Sequence, residues 1–145
     1  MIKSRLKSAL LGEKGSLSLQ FLVIGFVLMM GLLLLQFGVS GSTWFPSGIS
    51  LYLFWVTIVI LSAIVAYVNK GFLVSITVAM MVDFSREPVG GLFGPVSPVE
   101  MVGFALMSAM IFGLPLGIFG YLIGIGARYA VEVERSKQAT VEERA

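Results

Sequence analysis

LSLQFLVIGFVLMMGLLLLQF, residues 17–37, decides the fold class, because an apolar run of about 20 residues is long enough to cross a bilayer as a helix. A second run, ISLYLFWVTIVILSAIVAYV at 49–68, is rich in β-branched residues, but its length and surroundings favour a helix over a strand. Two further apolar segments follow at 71–84 and 99–127. The sequence therefore predicts an all-α membrane protein with four transmembrane helices.

The composition is that of a membrane protein. Of the 145 residues, 57% are hydrophobic and 12% are charged, and the mean hydropathy is +0.97. A water-soluble domain of this composition would expose large apolar patches. Because four crossings use more than half of the chain, we expect residues 1–145 to form a single transmembrane domain with no separate soluble domain.

The positions of the charged residues predict the topology. Between Leu17 and Ala127 the charged residues are Lys70, Asp83, Arg86, Glu87 and Glu100. Basic residues precede the first helix, separate the second from the third and follow the fourth, so four crossings place all of them on one side. By the positive-inside rule we expect a cell-membrane protein with both termini, including the charged tail 128–145, in the cytoplasm. If the third segment entered the bilayer and returned on the same side, the basic residues of the C-terminal tail would face outward. That topology would break the positive-inside rule.

The N-terminal segment 1–14, MIKSRLKSALLGEK, is basic and amphipathic. It is either a surface helix held at anionic headgroups or a solvated positive flank that only sets the topology. Cleavage of the first apolar run as a secretory signal is a further alternative, since small residues follow it at 38 and 40–42. Apolar regions of signal peptides are usually shorter, about 7 to 15 residues.

Residues 15–22, GSLSLQFL, resemble the processing motif of archaeal prepilins. Lys14, Gly15 and Ser18 match that motif, whereas Gln20 stands where the family has a glutamate. Prepilins also carry a soluble head instead of three further apolar segments. The resemblance covers only a small part of the chain, and it implies processing near the start of the first helix.

The third segment is unusually short. Its apolar run, 72–82, rises about 16 Å as a helix, roughly half of a 30 Å hydrocarbon core. The turn Asn69–Gly71 before it predicts a tight hairpin with the second helix. After it comes a Gly/Pro-rich stretch at 88–98, PVGGLFGPVSP, which is either an outer loop or a re-entrant loop. Ser97 and Glu100 then have the spacing of a capping box, which predicts the start of the last helix.

Charged residues around this stretch form a candidate ion or vestibule site, made of Asp83, Arg86, Glu87 and Glu100. The first three would share one face of a continued helix. If they lie within the bilayer, they are a candidate proton or cation site. If they lie at the outer headgroups, they are a hydrophilic stop with a weak exposed ion pair. Because Asp83 directly follows the apolar run, we expect the outer position.

Small residues recur every four positions along the last helix. The predicted packing face consists of Ala105, Ala109, Gly113 and Gly117, continued on an adjacent strip by Gly120 and Gly124. Such faces let helix backbones touch, either within the chain or against a partner. Pro115 lies in the same helix and removes a backbone hydrogen bond, which predicts a kink near the glycines.

The sequence offers little for catalysis. It has no cysteine and no histidine, and it lacks a phosphate-binding glycine loop and a nucleophile elbow. We therefore expect no enzyme activity, no cofactor, no metal site and no nucleic-acid partner. The expected partners are the lipid bilayer and either further copies of the chain or a larger membrane complex.

These patterns favour a non-catalytic accessory, assembly or scaffold subunit that packs through the small-residue face. The alternative is a small channel or transporter formed by several copies of the chain. Its thin polar lining would come from Gln20, Gln36, Thr57, Ser62, Ser75 and Thr77. In that case several of these side chains should lie on one stripe that faces the lumen of the pore. A lysis pore similar to viral holins is a third alternative, suggested by size, repeated spans and charged ends.

Overall fold

The computed structural model describes residues 10–12, 15–38, 49–85 and 97–142, and this part of the chain contains helices and no strand. The helices are α1 (Gly15–Gly38), α2 (Ile49–Asn69), α3 (Phe72–Phe84), α4 (Pro98–Ser108), a π-helical turn (Ala109–Gly113) and α5 (Leu114–Glu142). Most of the basic N-terminal segment (1–9 and 13–14), the loop 39–48, the stretch 86–96 and the last residues 143–145 lie outside the described residues.

Three helical stretches are long and apolar enough to cross a membrane. They are Gly15–Leu32, Tyr52–Asn69 and Val102–Ala139, whereas α3 is apolar but shorter. Many large apolar side chains on these helices are exposed on the outside of the bundle, where lipid would cover them. The prediction of an all-helical membrane protein is confirmed.

α5 packs against α2 and α3 at backbone distance, and glycines make this approach possible. A Cβ atom added to Gly117 would lie 3.0 Å from the Cα of Ile76 on α3. One added to Gly120 would lie 2.6 Å from the carbonyl oxygen of Val59 on α2. Any side chain at these positions would push the helices apart, so α2, α3 and α5 form the core of the molecule.

α1 lies at the edge of this core and packs mainly on α3. Phe21 and Leu22 pack against a cluster of buried valines at 65, 74 and 78. A Cβ atom added to Gly25 would lie 3.3 Å from a methyl group of Val78. Far less of α1 is buried than of α2 or α5, and its opposite face is open.

The turn between α2 and α3 is as tight as the sequence predicts. Lys70 has a positive φ of 57°, and its N–H donates to the carbonyl of Ala66 at 2.9 Å, which ends α2. Gly71 follows, and its carbonyl accepts from the N–H of Ser75 at 3.1 Å, which begins α3. One residue with left-handed backbone therefore reverses the chain.

The last helix begins with the predicted capping box. The Ser97 hydroxyl accepts from the Glu100 N–H at 3.3 Å, and the Ser97 N–H donates to the Glu100 carboxylate at 2.8 Å. A π turn directly precedes Pro115, and in it the Leu114 N–H bonds to the Ala109 carbonyl. Because proline has no N–H for the carbonyl of Ile111, widening the preceding turn accommodates the lost bond.

The charged tail differs from expectation. The sequence analysis treated residues 128–145 as a tail separate from the last membrane helix, but α5 continues to Glu142. The guanidinium of Arg128 donates to Glu132 at 2.8 Å, one turn further on, and to the Tyr67 carbonyl at the end of α2 at 2.9 Å. These bonds tie the beginning of the tail to the bundle and favour continuation of the helix.

Replacing Gly124 with alanine should destabilise the bundle, because its Cβ would lie 2.2 Å from the carbonyl oxygen of Ala63. Overpacking of this kind costs about 1–3 kcal/mol. The matched control is Gly126→Ala, because its Cβ would have no neighbour within 4 Å among the described residues. This variant should gain up to ~1 kcal/mol of stability from the higher helix propensity of alanine. Thermal unfolding of both variants in one detergent tests this, and equal melting temperatures would contradict it.

Candidate functional site

Asp83 is the most unusual residue of the described chain, because it is an acidic side chain with no exposed surface. It lies in the last turn of α3, and its carboxylate accepts a hydrogen bond from the hydroxyl of Ser108 on α4 at 3.3 Å. Ser108 is itself buried. Asp83 is therefore not solvent-exposed as a hydrophilic stop would be, while its expected position at the outer headgroups stays a prediction.

Close helix packing produces this burial. A Cβ atom added to Gly113 would lie 3.0 Å from the Cα of Met80 and 3.1 Å from the Cβ of Asp83. The π turn thus runs directly over the end of α3. Ser85 is also buried, and its hydroxyl donates to the carbonyl of Val82 at 2.6 Å, which satisfies a carbonyl in the last turn of α3. The end of α3 therefore carries two buried polar side chains, Asp83 and Ser85, and Ser108 on α4 bonds to the first of them.

A second buried polar group lies in the middle of the core. The hydroxyl of Ser62 on α2 donates to the carbonyl of Gly117 on α5 at 2.9 Å, and it lies 3.4 Å from the carbonyl of Ser75 on α3. Ser75 is fully buried as well, and its hydroxyl has no hydrogen-bond partner among the described residues. Ser62 therefore joins all three core helices.

The residues proposed as a polar lining do not form one stripe. Ser62 and Ser75 face the core, but Gln20 and Thr57 are exposed on the outside. The Thr57 hydroxyl bonds to the carbonyl of Leu53 in its own helix at 2.8 Å. Thr77 is half-buried, and the side chain of Gln36 lies outside the described part. This distribution removes the main support for a pore lined by these six residues.

Asn69 organises the opposite end of the bundle. Its buried amide nitrogen donates to the Ser18 hydroxyl at 2.9 Å and to the Leu11 carbonyl at 3.3 Å. The Ser18 hydroxyl bonds to the same carbonyl. Gly12 has a positive φ of 93°, and a Cβ there would collide with the Asn69 side chain. Sequence reasoning placed Asn69 only in a turn, because its partners are distant in the chain.

A charged cluster lies beside Asn69. Lys70 is 3.8 Å from Glu132, which also bonds to Arg128. Arg128 in turn caps the carboxyl end of α2, where a positive charge interacts favourably with the helix dipole. These groups are partly exposed, so each pair contributes little to stability. The effect of these pairs is to position α5 against the α2–α3 turn.

The predicted ion-site residues do not act as one group. Asp83 is buried, whereas Glu100 is exposed and engaged in the capping box, where it also accepts from the Ser97 hydroxyl at 2.8 Å. The bonds from the Ser97 backbone N–H and hydroxyl hold the pKa of the Glu100 carboxyl below its ordinary value. Arg86 and Glu87 lie outside the described residues.

The predicted packing residues are all buried: Ala105, Ala109, Gly113, Gly117, Gly120 and Gly124. Gly113 and Gly117 face α3, while Gly120 and Gly124 face α2. The glycines of this face are therefore occupied by the chain's own helices, and a partner helix would have to use another surface.

The described residues contain no group of three or more side chains that could hold a metal ion. Comparison with protein-family models, curated proteins and solved structures finds no match. The buried carboxyl of Asp83 and the open face of α1 are thus the two features from which a function can be argued.

The capping box should make the start of α4 sensitive to acid. Because the pKa of Glu100 is lowered in the fold, its ionised form stabilises the helix start above the ordinary glutamate pKa of about 4.3, and this is lost as pH falls through the lowered value. Amide hydrogen exchange of residues 99–101 should accelerate over that range beyond the intrinsic pH effect. Glu100→Gln should abolish this additional acceleration of exchange. The same pH dependence of exchange in the wild-type protein and the variant would contradict the role of Glu100 in the capping box.

Replacing Asn69 with leucine should release the N-terminal segment. Loss of the amide leaves the Leu11 carbonyl and Ser18 without that donor, which costs about 1–3 kcal/mol. We expect a lower melting temperature and faster proteolysis near residues 10–12. Gln20→Leu, which removes an exposed amide from α1, is the control and should leave both unchanged. Equal behaviour of the two variants would count against the role of Asn69.

Proposed function

We propose that this chain is a non-catalytic accessory or assembly subunit of the cell membrane, with four crossings and both termini in the cytoplasm. The topology is supported by three contacts at one end of the bundle. Leu11 bonds to Asn69, Lys70 approaches Glu132, and Arg128 caps α2. Leu11, the Lys70 turn and Arg128 therefore lie at one end of the bundle, which supports the common side that the positive-inside rule requires of four crossings.

The observation that carries the proposal is the open face of α1. This helix packs mainly on α3, and most of its other described side chains are apolar and exposed. The exposed side chains include Leu19, Val23, Ile24, Val27, Met30 and Leu34. No atom of the described residues lies within 4 Å of a Cβ built on Gly31, so a second backbone could approach there as closely as α5 approaches α3.

The other helices are less suited to a partner. α2, α3 and α5 hold one another through buried glycines and serines, and disturbing them would disturb the core. α1 can gain a partner without breaking any contact between these three. We therefore assign assembly to α1 rather than to the small-residue face of α5.

Site-directed photo-crosslinking tests this proposal, and the absence of native cysteine makes single-cysteine variants straightforward. Val27→Cys on α1 and Ile60→Cys on α2 are matched, because both side chains are apolar and more than half exposed. The cysteine of each variant is labelled with benzophenone maleimide, and the labelled protein is illuminated in native membranes. We expect a discrete protein adduct from position 27 and only lipid adducts from position 60.

Mass spectrometry of the adduct identifies the partner as a second copy or another membrane protein. Lipid adducts from both positions, together with a monomeric native mass in mild detergent, would contradict the assembly role. A discrete adduct from position 60 alone would move the interface to α2 and also contradict the assignment.

A further inference from the structure

We propose that the basic N-terminal segment, residues 1–11, binds anionic lipid headgroups at the membrane surface. Residues 10–12, here called the strap, hold the segment at that level. The segment contains Lys3, Arg5 and Lys7 and no acidic residue. This inference goes beyond the assembly role and does not depend on it.

The strap lies at one boundary of the hydrocarbon core. α2 rises about 30 Å from Ile49 to Asn69, close to the thickness of that core, so Asn69 lies at the boundary. The buried Asn69 amide donates to the Leu11 carbonyl at 3.3 Å and to the Ser18 hydroxyl at 2.9 Å. Leu11 therefore lies where the hydrocarbon meets the headgroups.

The chain changes direction at the strap. Leu10 and Leu11 are helical, and Gly12 follows with a positive φ of 93°, in the left-handed region that commonly ends a helix. α1 begins at Gly15, so Gly12 separates the helical residues of the strap from it. A Cβ atom added to Gly71 would lie 3.0 Å from the backbone nitrogen of Gly12, which places the strap against the α2–α3 turn. The segment therefore joins the bundle at a fixed point on the membrane boundary.

The residue pattern of the segment suits a membrane surface. Ile2, Leu6, Ala9 and Leu10 recur at helical spacing, and the basic residues lie between them in the sequence. Apolar side chains of such a segment enter the interface, while lysine and arginine side chains extend to the phosphates. Leu11 is 43% exposed, so the strap presents an apolar side chain at the same level. Pattern and position both favour lipid headgroups as the ligand.

The carboxylate beside the strap is less suited to pair with these charges. Glu132 lies 3.8 Å from Lys70, the residue after Asn69, and it bonds to Arg128 at 2.8 Å. That carboxylate is therefore already shared by two cations. Lipid phosphates supply anions at this level without breaking either pair.

Environment-sensitive fluorescence tests the proposal on the full chain, because the absence of native cysteine allows a single label. Leu6→Cys is labelled with a nitrobenzoxadiazole probe, and the protein is placed in nanodiscs of phosphatidylcholine with increasing fractions of phosphatidylglycerol. We expect the emission to move to shorter wavelength as the phosphatidylglycerol fraction rises. The shift should shrink at high salt, because salt screens charges at the surface. Soluble glycerol phosphate added to pure phosphatidylcholine discs should not produce the shift.

Two charge variants with the same label separate the segment from the rest of the chain. The first combines Lys3→Gln, Arg5→Gln and Lys7→Gln, and we expect it to lose the shift. The matched control should keep the shift, because it removes the same number of positive charges from the other end of the chain. It combines Arg135→Gln, Lys137→Gln and Arg144→Gln.

A third variant tests the strap. Asn69→Leu removes the amide that holds Leu11, so the midpoint of the shift should move to a higher fraction of phosphatidylglycerol. An unchanged midpoint would overturn the role of the strap. The two charge variants leave Asn69 intact, so they keep the test of lipid binding decisive even if Asn69→Leu fails to fold.

Three outcomes would overturn lipid binding by the segment. The first is an emission maximum that does not change with phosphatidylglycerol, or one that changes alike in the two charge variants. The second is a short-wavelength emission that is equal in all discs and insensitive to salt, which would indicate that the segment packs on the protein itself. The third is a shift caused by glycerol phosphate in pure phosphatidylcholine discs, which would indicate a site for a free phosphate.

Discussion

The structure depends on the close approach of α5 to both arms of the α2–α3 hairpin. In lipid, apolar side chains gain little by meeting one another, so helices associate through van der Waals packing and hydrogen bonds between closely spaced backbones. Gly117 and Gly120 permit this approach, and the Ser62 hydroxyl adds a bond to the Gly117 carbonyl. α3, although short, is held because α5 and α2 enclose it.

The same close packing determines which polar groups remain inside. Where the backbones touch there is little space for water, so an interior polar group is stabilised when it bonds to protein. Ser62 and Ser108 do so, and they connect helices that are far apart in sequence. Asp83 differs from the serines because it can change its charge, and this sets it apart as a candidate for function rather than for packing.

Local patterns made much of the fold predictable. The helices, the Lys70 turn and the capping box of Ser97 each depend on neighbouring residues, and the structure has them where the sequence indicated. The burial of Asp83 was not predictable in this way, because it depends on the π turn crossing α3 from a distant part of the chain. The role of Asn69 was missed for the same reason, since its partners precede it by more than 50 residues in sequence.

α3 connects the open face of α1 to the interior of the bundle. One side of it holds α1 through Val74 and Val78, and its last turn lies against the π turn at Gly113. Any shift of α3 within the bundle would therefore also move the support of α1. By thermodynamic linkage, a partner that binds α1 more tightly in one arrangement of α3 must favour that arrangement. Assembly on α1 and the packing of α3 between α2 and α5 would then be coupled through the shortest helix of the bundle.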